Sequence, residues 1–332
     1  MTLDPERILK DLSELWTSLA APAQEGAQGA AAVLRACSMT LIVAAEEAED
    51  PGEIGEILAA LMPEHPSRAI VVRVGRGENL AARVFEQCWM PFGGRRQICC
   101  EQIEIRGDDQ SLGEIAGVVL PLVVPDLPVI LWCRSPRLYN MAGLPELSAL
   151  AHKLVLDSAR FADPIPILAR LAESPLPPGD LAWARLTRWR ALIAQVFDNQ
   201  AYLAKLPQVS DVRVSYFGAR PSASAFYMSA WLLDGLQKAG SRPKLALEAV
   251  EDSPARGLRE IELTAAEGGV ELLLRLADGH AAEVRVDGVI SRAALPEANE
   301  YALLREELAI PRRDPVYERT LERASRLAAG FA

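Results

Sequence analysis

The stretch VLPLVVPDLPVILWCR, from Val119 to Arg134, limits more than any other segment what this chain can fold into. It is as apolar as a membrane span, but three prolines fall within eight of its residues. A spanning helix needs about 20 predominantly apolar residues, and each interior proline removes a backbone hydrogen bond. The pattern predicts a helix over Leu112–Val124, a Pro-Asp-Leu-Pro turn and a buried strand at Val129–Cys133. The stretch is therefore expected to form protein core and not to meet a membrane.

The rest of the chain divides into two patterns. Before residue 204, short apolar runs such as MTLIVAA and RAIVVRV alternate with helical segments such as PGEIGEILAALM. This alternation is typical of an α/β layer with a largely buried sheet. After residue 205, the strand VRVSYFG and a helix at Ala223–Ala239, ended by Gly240, precede three runs of alternating polarity. We therefore predict an N-terminal α/β domain with a largely buried mixed sheet (1–204) and a C-terminal α+β domain with an antiparallel meander (205–332).

Composition excludes several classes of function. The 332 residues are enough for two cores. The net charge of −10 disfavours a general binder of nucleic acid or of anionic membranes. The first residues, MTLDPERILK, lack the basic and apolar regions of a signal peptide, so a cytoplasmic location is expected. The five cysteines include no C-x-x-C pair and are expected to be reduced, buried thiols.

Motifs for catalysis are weak. The stretch VGRGENL (Val74–Leu80) half-matches a dinucleotide-binding loop, but Leu80 stands where the third glycine belongs. An ordinary turn is the better interpretation. The three histidines belong to no local H-E-x-x-H, Ser-His-Asp or Cys-His pattern. The sequence therefore predicts no catalytic constellation, no metal site and no cofactor.

An unusual charge pattern marks the start of a helix that we predict to begin with Thr187 as its N-cap. Three arginines lie there: Arg185, Arg188 and Arg190. Cations at a helix N-terminus oppose the helix dipole, at a cost of about 0.3–1 kcal/mol each when exposed. An anion nearby would offset that cost. It could be an internal carboxylate, for which Asp157 and Asp180 are candidates, a phosphate, or a carboxylate of a partner.

A second candidate anion site is the segment GARPSAS, which joins the strand VRVSYFG to the next helix. Arg220 and the hydroxyls of Ser222 and Ser224 could hold a phosphate at the helix N-terminus. The favoured alternative is that one of the two serines is simply the N-cap of the helix.

Several ordered motifs resemble the OpcA family, the glucose-6-phosphate dehydrogenase assembly proteins of bacteria. These motifs are HPSRAIVV (65–72), CEQIEI (100–105), LPLVVPDLPVILW (120–132), LVLDSARF (154–161), DLAWARLTRWRALIAQVFD (180–198) and SAWLLDGL (229–236). Cys133, His152–Lys153 and Arg188 depart from the residues usual in the family. The resemblance implies a non-catalytic cytoplasmic protein that binds glucose-6-phosphate dehydrogenase and promotes its assembly or allosteric activation.

Five residues are the candidates for binding the partner or for supporting the contact surface: Arg185, Trp189, Arg190, Asp126 and Arg68. Tryptophan and arginine are the residues that most often dominate protein interfaces. The rival hypothesis is a sugar-phosphate-binding enzyme or sensor, with an anion site at the N-termini of the helices near residues 187 and 223. It predicts a thermal shift on adding a sugar phosphate in the absence of any protein partner.

Overall fold

The computed structural model describes residues 3–20, 33–77, 80–90, 97–250, 257–265, 269–278 and 280–331. The chain forms two compact units, each built from discontinuous segments. The first unit comprises Met1–Leu156, Leu176–Gly179 and Glu300–Arg312, and the second unit comprises the remaining segments. The boundary that we predict between residues 204 and 205 coincides with no edge of either unit. It remains a prediction about which segments fold independently.

The first unit contains an eight-stranded sheet in the order β1-β5-β3-β2-β6-β7-β8, with β4 paired to β5. The strands are β1 Leu34–Arg35, β2 Met39–Glu46, β3 Ser67–Gly75, β4 Ala81–Trp89, β5 Ile98–Asp108, β6 Val129–Cys133, β7 Lys153–Leu156 and β8 Pro178–Asp180. The strands from β1 to β7 pair in parallel, except that β4 runs antiparallel to β5. Strands β2, β3 and β6 are buried almost throughout. The predicted α/β fold with a largely buried mixed sheet is confirmed, as is the strand Val129–Cys133.

Several helices of the first unit begin at a side chain that caps them. The helices of this unit are α1 Pro5–Ala20, α2 Pro51–Leu61, α3 Leu112–Val119, α4 Pro136–Tyr139, α5 Leu144–Ser148 and, late in the chain, α11 Glu300–Leu308. Asp4 and Asp50 accept backbone hydrogen bonds at the starts of α1 and α2. None of the helices among the described residues is long and apolar enough to cross a membrane.

The helix that we predict over Leu112–Val124 is shorter than expected. It ends at Val119 and continues as a 3₁₀ turn over Leu120–Leu122. Pro125 disfavours helical geometry at the residue before it, and the Val124 amide instead donates to the Thr40 hydroxyl (3.0 Å). The proline-rich turn that follows is present.

The second unit contains a six-stranded sheet in the order β10-β9-β11-β12-β13-β14. The strands are β9 Val209–Phe217, β10 Lys244–Val250, β11 Gly257–Ala265, β12 Leu272–Asp278, β13 Ala281–Val286 and β14 Val289–Ala294. Strands β9 and β11–β14 pair antiparallel, which confirms the meander, and β10 lies parallel to β9. Strands β10 and β14 are not predicted from the sequence. Both lie at sheet edges and bury little, so they lack a strong apolar signal.

The helices of the second unit surround one that is almost entirely buried. They are α6 Pro164–Ala172, α7 Leu181–Ala184, α8 Thr187–Phe197, α9 Gln200–Leu203, α10 Ala223–Lys238 and α12 Pro315–Ala329. Helix α10 buries eleven of its residues. The helix is followed by Gly240, the residue predicted to end it. Gly240 has a φ of 94°, which is accessible to glycine and costly for other residues.

The expectation that every cysteine is a reduced thiol is wrong for one pair. Cys88 and Cys99 form a disulfide across β4 and β5, where the register places them opposite each other with Cα atoms 4.1 Å apart. This pairing depends on strand register, which no local sequence motif predicts. Cys37, Cys100 and Cys133 are free thiols. Burial raises the pKa of Cys100 to about 11 and that of Cys133 to about 12, so both remain protonated and unreactive.

Candidate partner-binding surface

The segment DLAWARLTRWR in the second unit carries most of the candidate residues. Asp180 caps α7 by accepting from the Ala182 amide (2.8 Å). Helix α8 follows, but Thr187 is its first helical residue and not the predicted N-cap, a position that Leu186 occupies without any side-chain bond. The Thr187 hydroxyl instead accepts a hydrogen bond from Arg190 (2.7 Å). No side-chain cap therefore defines the start of α8.

Arg185 is held by an internal carboxylate. Its guanidinium donates through both Nη atoms to Asp157, at 2.8 Å and 2.6 Å. Asp157 is buried and also caps the 3₁₀ turn Ser158–Arg160, and Arg160 lies 3.8 Å from the same carboxylate. Bidentate pairs of this kind are the strongest and most specific arginine contacts. Arg185 therefore fixes the α7–α8 junction to the segment that follows β7.

Arg190 and Trp189 also serve the interior of this unit. The Arg190 guanidinium lies over the Trp183 ring, 3.3 Å from its centroid, which is a cation–π contact. Trp183 in turn stacks on Tyr317 with ring centroids 5.6 Å apart. Trp189 itself is buried, with 8% of its surface exposed. These side chains hold α8 in place. They would therefore support a partner-binding surface on the exposed side of α8.

Below this layer lies a buried polar cluster that the sequence analysis did not find. The Tyr227 hydroxyl donates to Asp180 Oδ2 (2.7 Å) and lies 3.0 Å from the Tyr317 hydroxyl. The Ser158 amide donates to Asp180 Oδ1 (3.0 Å). Burial, and secondarily the charge of Asp157, raises the pKa of the Asp180 carboxyl to about 7. The three side chains come from distant parts of the chain, so only their unusual polarity within apolar stretches could have signalled the cluster.

Arg68 and Asp126 belong to the first unit and lie at or near the proline-rich turn. Arg68 is buried and donates to Glu101 (2.5 Å) and to the Leu122 carbonyl (2.7 Å), so it holds the 3₁₀ turn that leads to the proline-rich turn. Asp126 is exposed at that turn with a φ of 64°, a left-handed conformation that aspartate tolerates better than most residues. Arg68 thus positions backbone, and Asp126 is open to solvent.

The candidate anion site at the start of α10 has mostly internal contacts. Ser222 is the N-cap of the helix and accepts from the Ala225 amide (3.3 Å), as the favoured alternative predicts. Ser224 is buried, and Arg220 is exposed. With Arg185 paired to Asp157 as well, no contact among the described residues favours a sugar-phosphate site.

The carboxyl edge of the first sheet is where doubly wound folds bind ligands, at the point where the strand order reverses. Here β2 and β6 are neighbours, and their ends are occupied by ion pairs. Arg134 is buried and lies 3.2 Å from Glu49 and 2.6 Å from Glu300, while Arg137 donates to Glu46 (2.7 Å). The carboxylates would repel the pyrophosphate of a dinucleotide. In VGRGENL, Gly77 has the positive φ of an ordinary turn, and residues 78–79 lie outside the described residues.

Comparison with known proteins identifies the family. Residues 59–173 match the family model described as "Glucose-6-phosphate dehydrogenase subunit N-terminal domain", and residues 177–321 match the corresponding "C-terminal domain". The chain belongs to the OpcA family. The family resemblance of the sequence motifs is thereby confirmed.

Curated relatives carry the name "Putative OxPP cycle protein OpcA". The protein from Nostoc punctiforme is 27% identical over 52% of this chain and 38% of its own length. The protein from Synechocystis sp. is 29% identical over 42% of this chain and 30% of its own length. The chain thus spans about a third of the length of these relatives. Among solved structures, a glucose-6-phosphate dehydrogenase in complex with glucose 6-phosphate aligns with a TM-score of 0.47 at 10% identity, over 88% of this chain and 91% of that one. Similarity at that level carries no argument about function.

Proposed function

We propose that this protein binds glucose-6-phosphate dehydrogenase and promotes its assembly or allosteric activation, as a non-catalytic component of the oxidative pentose phosphate pathway. The observation that carries the proposal is the match to both domain models of the OpcA family, which together span residues 59–173 and 177–321. The names of the curated relatives place those proteins in the OxPP cycle.

The first unit supports a non-catalytic role. At the carboxyl edge of its sheet, the arginines are already neutralised by carboxylates of the same chain. A nicotinamide dinucleotide would have to displace those ion pairs and bring its own negative charge beside Glu46 and Glu49. The fold resembles one that binds dinucleotides, but the side chains at that position disfavour one, and function follows the side chains.

An activator must bind the active form of the dehydrogenase more tightly than the inactive form, and the activation can be no larger than that difference in affinity. The direct experiment titrates this protein into the dehydrogenase from the same organism while the concentration of glucose 6-phosphate is varied. A saturable fall in KM or rise in kcat is expected, together with co-elution on a sizing column. Unchanged kinetics without co-elution would contradict the proposal.

A further inference from the structure

The second unit has an apolar groove at the C-terminal end of α8, away from the arginines at its start. The groove is a cavity of about 260 Å³ between α8, α10 and α12. Its apolar lining includes Ile193, Phe197, Leu206, Trp231, Leu263 and Val316. Val316 is 43% exposed, and Phe197, Leu206 and Trp231 are half-buried. Neighbouring apolar side chains that remain accessible mark contact sites on protein surfaces.

The size of the groove favours a side chain over a free ligand. Small-molecule sites have volumes of about 300–1,000 Å³ and bury most of the ligand. A cavity of about 260 Å³ is smaller and suits one bulky apolar side chain of a docked segment. Grooves between helices commonly accept the apolar face of an amphipathic helix.

A basic stripe begins at the groove, where Lys238 and Arg319 are lining residues, and continues along α12, although the chain as a whole has a net charge of −10. It consists of Lys238 on α10 and Arg319, Arg323 and Arg326 on α12. Two carboxylates lie among them: Asp234 pairs with Lys238 (2.6 Å) and Arg319 (4.0 Å), and Glu322 lies 3.8 Å from Arg326. The stripe therefore has two more cations than anions.

Within the stripe, Arg323 has a neutral neighbour as its hydrogen-bond partner. It donates to the Gln237 amide oxygen (2.8 Å). Partial burial, which is the largest effect, lowers the pKa of the Arg323 guanidinium. The charge of Asp234 opposes this shift, and the charge of Arg326 adds to it. A carboxylate supplied from outside would give Arg323 a charged hydrogen-bond partner.

We propose that this groove docks an acidic amphipathic helix of the dehydrogenase, with an apolar side chain in the cavity and carboxylates along the basic stripe. The inference rests on the proposed function and names the surface and the chemistry that it uses. The arginines repeat at i, i+4 and i+7, so the stripe has the spacing of a helical face. At a rise of about 1.5 Å per residue the three positions span about 10.5 Å, and a helix lying alongside presents carboxylates over the same distance. Three side chains on one face of a strand would span about 13 Å.

The structure offers variants that change the groove without touching the core. Val316→Glu places a carboxylate at the mouth of the cavity, in the first turn of α12, where a negative charge suits the helix dipole. Arg326→Glu reverses one charge of the stripe. Val289→Glu and Arg292→Glu are matched controls, because both side chains are exposed on β14. Val316→Leu keeps the apolar mouth and should retain binding. Circular dichroism and thermal melting verify that each variant is folded.

The experiment measures the affinity of each variant for the dehydrogenase and the activation that each produces. We expect Val316→Glu and Arg326→Glu to weaken binding at least tenfold, with the controls and Val316→Leu unchanged, and added salt to weaken binding of the wild type. Equal binding by all variants would contradict the groove as the docking site and would leave the proposed function unaffected. A wild type that neither binds nor activates the dehydrogenase would overturn both.

A second copy of this chain is the competing occupant of the groove. Sedimentation velocity of the wild type and of Val316→Glu distinguishes it. A dimer that Val316→Glu converts to a monomer, with activation of the dehydrogenase unchanged, would overturn the proposal. An unchanged sedimentation coefficient together with lost binding supports it.

Discussion

The buried carboxyl of Asp180 leads to a specific prediction about how the stability of the fold depends on pH. Asp180→Asn removes the titrating group and keeps its contacts. Asparagine is as good an N-cap as aspartate, so its side-chain oxygen can still accept from the amides of Ser158 and Ala182. Its NH₂ group can donate to the Tyr227 oxygen, which now lies 2.7 Å from the carboxylate. The substitution therefore isolates the cost of the charge.

The magnitude follows from the raised pKa. The pKa of Asp180 rises from 3.8 to about 7, mainly because of burial. Between those two values the folded protein holds a proton that the unfolded chain has released, so the stability of the wild type falls as pH rises through this window. Three pH units at 1.36 kcal/mol each amount to about 4 kcal/mol. Above about pH 7 the group is ionised in both states and adds no further slope.

The assay is urea unfolding of the wild type and of Asp180→Asn between pH 4 and pH 8, followed by tryptophan fluorescence. Trp183 is one of six tryptophans and packs against Tyr227 and Tyr317, so part of the emission change reports on this cluster. Near pH 4 the two proteins should have similar free energies of unfolding. By pH 8 the variant should be more stable by about 4 kcal/mol.

The matched control for Asp180→Asn is Asp163→Asn. Asp163 also caps a helix of the second unit, α6, and it is exposed. Its stability difference from the wild type should stay nearly constant across this pH range. If the difference for Asp180→Asn were equally flat, the carboxyl would titrate in the folded protein as it does in water, and the reasoning from burial would be refuted.

Three further predictions concern stability, and urea unfolding checks each. Arg185→Ala leaves the buried Asp157 carboxylate without its bidentate donor and should cost about 1–3 kcal/mol. Arg188→Ala, at an exposed position, should change stability by less than about 0.5 kcal/mol. Equal effects would show that the Arg185–Asp157 pair does not stabilise the fold. Lys153→Met removes the ammonium that pairs with buried Glu307 at 2.9 Å and should cost about 3–5 kcal/mol. Replacing Glu307 by leucine as well should recover most of that loss. Additive losses would contradict the pairing. Reduction of the β4–β5 disulfide, which closes a loop of 11 residues, should cost about 3 kcal/mol. Alkylation of the urea-unfolded protein without reductant should label three thiols and not five.

Local chemistry was enough to predict many elements. The strand Val129–Cys133 was predicted because prolines and an apolar run define it without help from distant residues. Ser222 was recognised as a candidate cap, and Gly240 as a helix end, because a cap depends only on the next few amides. The family was visible in the sequence because its motifs occur in order along most of the chain.

The errors have a common physical cause, which is dependence on residues far away in the chain. Thr187 is the exception, because it lies one residue inside α8 and its hydroxyl accepts from the nearby Arg190. Cys88 and Cys99 form a disulfide because strand register places them opposite each other, not because of their spacing. The edge strands β10 and β14 bury too little to leave an apolar signal.

The sequence by itself determined the fold class, the core strands and the family, since these follow from polarity periods, local caps and ordered motifs. Only the tertiary structure decided what the charged residues do. It assigned Arg185 to Asp157 inside the second unit, and it gathered Asp180, Tyr227 and Tyr317 into one buried cluster. It also left the groove beside Val316 open among the described residues. The physical reason is that the environment of a charge or of an exposed apolar group depends on what packs around it, and that is set by contacts between segments that are distant in the chain.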